Sequence, residues 1–174
     1  SRPAPGRIGL VGLGVGTLAA YGRPGDTFRF YEINPAVIDV ASRDFHFLEK
    51  SQAKIELIEG DGRLALEREP SASFDYLVLD AFSGDSIPVH LLTREAFQTY
   101  FRILRPEGEI AIHITNRFLD LAPVVRAVAA SLGRQVIEVR SEADPAQQVL
   151  GADWMLVSAR KVNETPSRGT RART

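Results

Sequence analysis

The chain contains no cysteine. Disulfides, thiolate metal sites and a cysteine nucleophile are therefore all excluded. Its three histidines, at positions 46, 90 and 113, are too scattered to read as a metal-ligand cluster. An excess of charge of one sign is also missing: 21 Lys and Arg stand against 22 Asp and Glu, a formal net charge of -1. That balance gives no electrostatic case for nucleic acid or an anionic membrane as the main partner. No apolar run reaches the roughly 18 residues that a bilayer-spanning helix needs, and no signal peptide is visible. A cytoplasmic location is the expectation. What remains is an ordinary globular composition, 44% hydrophobic and 25% charged. The 174 residues suffice for one domain with a sizeable core.

Strand and helix patterns alternate along the chain. Ile8–Gly12 (IGLVG) is a short apolar run closed by glycine, as expected of a central parallel strand. Thr27–Ile33 reads as a second strand. Asn34-Pro35 then supplies an N-cap and a first-turn proline for a helix continuing over Ala36–Leu48. Lys54–Glu59 alternates like a strand, Arg63–Glu69 makes a short helix, and Phe74–Asp80 (FDYLVLD) is the fourth strand. Its apolar centre, Tyr76 to Leu79, implies burial on both faces. Thr93–Leu104 is an amphipathic helix, and Arg105–Gly108 a turn into the strand Glu109–Thr115. Leu121–Leu132 is a helix with Pro123 in its first turn and Gly133 as its cap. Gln135–Arg140 and Trp154–Ala159 follow as strands with no helix between them.

These elements predict a nucleoside-cofactor-binding α/β domain over residues 1–161 and a polar, basic, disordered tail over 162–174. The sheet should be doubly wound, mostly parallel and seven-stranded, with an antiparallel strand near one edge. That is a Rossmann-like arrangement resembling class I methyltransferases more than the all-parallel dinucleotide fold.

In such sheets ligands bind beyond the carboxyl ends of the strands. After the first strand comes Gly12-Leu-Gly14-Val-Gly16-Thr17, glycines that permit tight turns and close ligand approach before a helix start. After the second comes Glu32, an acid able to accept both hydroxyls of a ribose. After the third comes Gly60-Asp61-Gly62, whose carboxylate can accept from an adenine amine. After the fourth comes Asp80, placed to bind an ammonium group or take a proton from an attacking amine. The dinucleotide fingerprint G-x-G-x-x-G has its third glycine where this chain has Thr17. With Gly-Asp-Gly, this leans the reading towards an adenosyl-sulfonium ligand and makes NAD the minor one. His113, in a strand expected to be buried, reads as structural, with Asn116 beyond it able to reach the pocket. Trp154 and the Phe97–Phe101 stripe read as core, and Arg168, Arg171 and Arg173 as solvated linker.

From Ile8 to Arg117 the chain resembles the spermidine synthase family of aminopropyltransferases. The likeness lies in IGLVGLGVGT, FYEINPAVIDVA, IEGDGRLAL, FDYLVLDAFSGDSIPVHLLTREAF and LRPEGEIAIHITN. It is similar to the branch with Asp-Ala-Phe after the fourth strand, some members of which are fused to membrane transporter segments. The resemblance implies polyamine biosynthesis, with decarboxylated S-adenosylmethionine or S-adenosylmethionine as co-substrate and no metal. It implies Gly12, Gly14, Gly16, Glu32, Asp61 and Gly62 for that ligand, Pro88 against adenine, and Asp80 for the transfer chemistry. Ser83, Asp85 and His90 are candidate acceptor contacts. Three departures accompany it. Val15 stands where the family has an acid beside its last glycines. Ser83 replaces the second acid of its D-x-x-D pattern, with Asp85 two residues on. The family's β-rich segment before the glycine strand has no counterpart in the sequence given. The partner expected is a small-molecule amine, without nucleic acid or membrane insertion by this chain, and with a homodimer as the assembly to consider. Two alternatives stand beside aminopropyl transfer: a small-molecule methyltransferase, and a non-catalytic ligand-binding domain of a larger membrane protein.

Overall fold

The computed structural model of the chain describes residues 5–82, 87–116, 119–144, 146 and 150–161. Ser83, Asp85 and the expected tail over 162–174 lie outside the described residues. Seven strands form one sheet in the order β3-β2-β1-β4-β5-β7-β6. β1 (Arg7–Val11), β2 (Thr27–Glu32), β3 (Lys54–Glu59), β4 (Phe74–Leu79) and β5 (Leu104–His113) run parallel. β7 (Ala152–Lys161) is antiparallel to both β5 and β6 (Arg134–Ser141). This is the mostly parallel, doubly wound sheet with an antiparallel edge pair that the order of elements predicts. The order reverses between β1 and β4, and a crevice opens there beyond the strand ends.

Local signals start the helices. Asn34 accepts from the Ala36 N–H to cap α1 (Pro35–Asp44), and Asp61 accepts from Leu64 N–H to cap α2 (Gly62–Glu67). Thr93 accepts from Ala96 N–H at the start of α3 (Arg94–Ile103). α4 (Ala122–Ser131) begins with Pro123 in its first turn and is followed by Gly133 at φ 65°.

Beyond shifts of a residue or two at element ends, four features differ from the sequence pattern. No α-helix follows the glycine turn; Thr17–Tyr21 is a five-residue 3-10 helix, since Gly22 and Arg23-Pro24-Gly25 leave nothing to extend it. α1 stops at Asp44 rather than Leu48: Phe45 is extended, and Leu48 turns back to pack against Gly16. β5 begins at Leu104, so Arg105–Gly108 is a bulge within a strand and not a turn before one. The pairing jumps there from Phe74 opposite Leu104 to Tyr76 opposite Glu109, while Arg105 reaches Asp75 at 2.7 Å.

The fourth difference concerns burial. Leu77, Leu79, Ile110, Ile112, Met155 and Val157 are fully buried on the face covered by α2, α3 and α4. Each such side chain contributes about 1.5–3 kcal/mol of transfer free energy. On the other face α1 and the 3-10 helix cover Ile8, Leu10, Phe28 and Phe30. Tyr76, Val78, Ala111 and Leu156 are only half-covered there and line an apolar depression of about 470 Å³. The centre of β4 is therefore buried on one face and not on both. Among the described residues no helix is long and apolar enough to cross a membrane.

Candidate active site

The carboxyl ends of β1, β2, β3 and β4 open on one cavity of about 710 Å³. Gly12, Gly14, Glu32, Asp61, Gly62, Asp80, Pro88 and His90 all line it, together with Val15 and Phe82. Gly16 does not; it lies at the head of the 3-10 helix with φ 82°. Ser83 and Asp85 fall outside the described residues, so the structure places neither.

Glu32 ties two loops together. Its Oε2 accepts from Leu13 N–H at 3.0 Å, and Oε1 from Asn34 N–H at 2.9 Å. A carboxylate has about four acceptor positions, so each oxygen keeps one for a ligand hydroxyl. Asp61 is similarly divided. Oδ1 caps α2 through Leu64 N–H at 3.0 Å, while Oδ2 lies 3.4 Å from His90 Nε2. His90 sits on a short 3-10 helix, Val89–Leu91, that follows Pro88. That segment is held from below: Tyr100 Oη donates to the Leu91 carbonyl at 3.1 Å, and Arg63 donates to the His90 carbonyl at 3.2 Å. Burial pushes the Tyr100 hydroxyl pKa upward, keeping it a donor.

Gly12 brings β1 against β4. At φ 96° its backbone lies so near Asp80 that a methyl group there would sit 2.3 Å from the Asp80 carbonyl oxygen. Gly14, at φ 55°, faces open space, with nothing among the described residues within 4 Å of such a methyl. One glycine is required by the fold. The other leaves room on the cavity side.

Asp80 has a partner that the sequence pattern did not assign. Its Oδ1 lies 2.7 Å from Nδ1 of His113, the last residue of β5. His113 Nε2 is 2.8 Å from Thr115 Oγ1, and that oxygen accepts from Asp153 N–H at 2.8 Å. The imidazole stacks on Trp154 at 4.5 Å and 7°, and Phe82 meets it edge-on at 4.9 Å and 79°. Trp154 is thus half-exposed beside the site, not core. The signal was in the register: β4 and β5 pair Leu79 with Ile112, which sets Asp80 beside His113. Reading each strand alone hides this.

The fold and the crevice define a Rossmann-like domain of the class I methyltransferase type, with acids at three strand ends around one cavity. No protein-family model matches the chain. Over 121 residues it is 33% identical to the polyamine aminopropyltransferase of Vibrio vulnificus, covering 67% of this chain and 39% of that protein. Over 122 residues it is 30% identical to the eEF1A lysine and N-terminal methyltransferase of Xenopus laevis, covering 64% of this chain and 18% of that protein. Human methyltransferase-like protein 13, solved in complex with SAH, superposes with a TM-score of 0.72 at 21% identity, over 95% of this chain and 76% of that one. The relatives are transferases of two kinds, and the chain spans less than half the length of either sequence relative.

Proposed function

We propose that this domain binds an adenosyl-sulfonium co-substrate and transfers an alkyl group from it to an amine, with aminopropyl transfer the leading reading. The observation that carries it is the convergence of four strand ends on one cavity. The residues present suit the ligand. Gly14 leaves space for a nucleoside against the backbone, Glu32 keeps one acceptor per oxygen for two ribose hydroxyls, and Asp61 faces the same cavity beside Pro88. A volume of about 710 Å³ lies in the range of small-molecule sites. The 33% identity to an aminopropyltransferase supports the same reading.

In this mechanism the amine nitrogen attacks the carbon next to sulfur. A C–N bond forms, the C–S bond breaks, and the sulfur leaves as a neutral thioether. Asp80 takes the proton that the nitrogen sheds, and the walls of the cavity hold the two reactants in line.

Methyl transfer is the second reading, and Val15 favours it. An apolar side chain lines the cavity where the resembled family carries an acid for the aminopropyl ammonium. Calorimetric titration with S-adenosylmethionine and with its decarboxylated form separates the two. The assay is then run with a panel of diamines, detecting the thioether product by mass. Tighter binding of the decarboxylated form and release of methylthioadenosine are expected. Preference for the carboxylated form with release of S-adenosylhomocysteine would establish methyl transfer instead.

A further inference from the structure

We propose that His113 is a positioning residue for Asp80, and that its protonation sets the charge which the site presents to the acceptor amine. This rests on the reading of Asp80 as the carboxylate on the acceptor side. His113 does not line the cavity. It stands behind Asp80, and whatever it does to the reaction passes through that carboxylate.

Trp154 lies flat against the imidazole, Phe82 meets it at 79°, and each ring nitrogen has a partner. With Asp80 ionised and the ring neutral, the 2.7 Å contact requires the proton on Nδ1. Nε2 then accepts, and Thr115 has the hydroxyl hydrogen to give, since its oxygen already takes the Asp153 N–H through one lone pair. When the ring is protonated both nitrogens donate, and Thr115 has a second lone pair to receive. The same hydroxyl serves both states, so neither leaves a ring nitrogen unpaired.

The two states differ by a whole charge. With a neutral ring the Asp80–His113 pair carries a net charge of -1; with a protonated ring it carries none. An arginine or lysine in this place would cancel Asp80 permanently, whereas a neutral imidazole orients the carboxylate and leaves its charge available. The amine gains positive charge as it attacks, so the negative pair is the productive one. Among the described residues, the charged groups that the neighbouring strands carry at this end of the sheet are Asp80, just past β4, and Asp153 on β7. Asp153 is turned to Arg140 at 3.7 Å.

The test compares His113→Asn and His113→Ala with the unaltered chain. The asparagine amide N–H can stand where Nδ1–H stands, but it does not titrate. Turnover is followed by release of the thioether product from pH 5 to 9, and nucleoside affinity by calorimetry with methylthioadenosine. His113→Ala should lower kcat by about 10- to 100-fold, the worth of one charge-assisted hydrogen bond, without changing that affinity. His113→Asn should keep most of the activity at pH 8 and, having no ring to protonate, should lose less of it at acid pH than the unaltered chain does. Ring nitrogen NMR of the unaltered chain reads the same device without turnover, and should show the Nδ1–H tautomer at pH 8. An acid loss in His113→Asn equal to that of the unaltered chain, or an Nε2–H tautomer, overturns the proposal while leaving alkyl transfer standing. Absence of transfer to any amine by the unaltered chain overturns the function and this role together.

Discussion

Two glycines of one turn should respond to the same substitution in opposite ways. A methyl at Gly12 would lie 2.3 Å from the Asp80 carbonyl oxygen, 2.8 Å from its carbon and 3.1 Å from Ala81 Cα. All three are backbone atoms, which cannot rotate away, so β1 and β4 must part by about 1 Å to restore ordinary contact. That movement strains the Asp80 N–H bond to the Val11 carbonyl, 2.9 Å, and the Gly12 N–H bond to the Tyr31 carbonyl, 2.9 Å. Overpacking of this kind costs about 1–3 kcal/mol, and alanine at positive φ costs about 1 kcal/mol more. Gly12→Ala should therefore lose about 3 kcal/mol, or roughly 6–12 °C in Tm for a domain of this size. Gly14→Ala pays about 1 kcal/mol for its φ alone, because nothing among the described residues meets its methyl. Gly14 lines the cavity, so a methyl added there should lower methylthioadenosine affinity by about tenfold or more. Urea unfolding followed by circular dichroism, with calorimetric titration of each variant, measures both quantities. Equal destabilisation by the two substitutions would refute the close packing of β1 on Asp80. Unchanged affinity in Gly14→Ala would refute nucleoside contact at the turn.

The remaining predictions concern buried and half-buried polar groups. Asp26 is 2% exposed and accepts from Gly6 N–H at 2.8 Å and Arg23 N–H at 3.2 Å, joining the start of β1 to the loop before β2. Asp26→Ala should cost about 2–3 kcal/mol in urea unfolding, because backbone donors lose their acceptor; a cost below about 0.5 kcal/mol would contradict this. The Lys54 hydrogen bond, followed by Arg29, holds the Glu56 carboxyl below its usual pKa. A depressed folded value means stability present above the unfolded pKa, about 4.3, and lost as pH falls from there through the folded value. Glu56→Gln should flatten that acid limb of the unfolding free energy, and an unaltered limb would exclude Glu56 as its source. Burial pushes the Tyr31 hydroxyl pKa upward, and so does its hydrogen bond to Glu69. A raised folded value means stability that falls as pH rises above about 10, where the unfolded chain ionises first. Tyr31→Phe should shallow this alkaline decline, and an unchanged slope would assign it elsewhere.

Most of the fold was legible because its signals are local. Apolar runs closed by Gly12, by Asn34-Pro35 and by Asp61 fix strand ends and helix starts within a few residues. The places that resisted depend on distant neighbours. Leu48 leaves its helical pattern to fill the space beside Gly16, and Arg105–Gly108 bulges within a strand beside Asp75, thirty positions before Arg105 and 2.7 Å from it. Tyr76 and Val78 look like core in a sequence, yet whether they are covered depends on which helices cross that face. The cavity shows the same division. Gly12, Glu32, Asp61 and Asp80 were readable one by one, since each follows its own strand. His113 was not, because its meaning comes from the β5 register that sets it beside Asp80. A histidine within an apolar strand looks like a core residue until the adjacent strand end proves to be a carboxylate. Parallel pairing names that neighbour once the register is known: Leu79 lies opposite Ile112, so the next residue on each strand stands beside the other. The residue one step beyond Leu79 and the one beyond Ile112 are therefore the pair to compare, and they are an acid and a base.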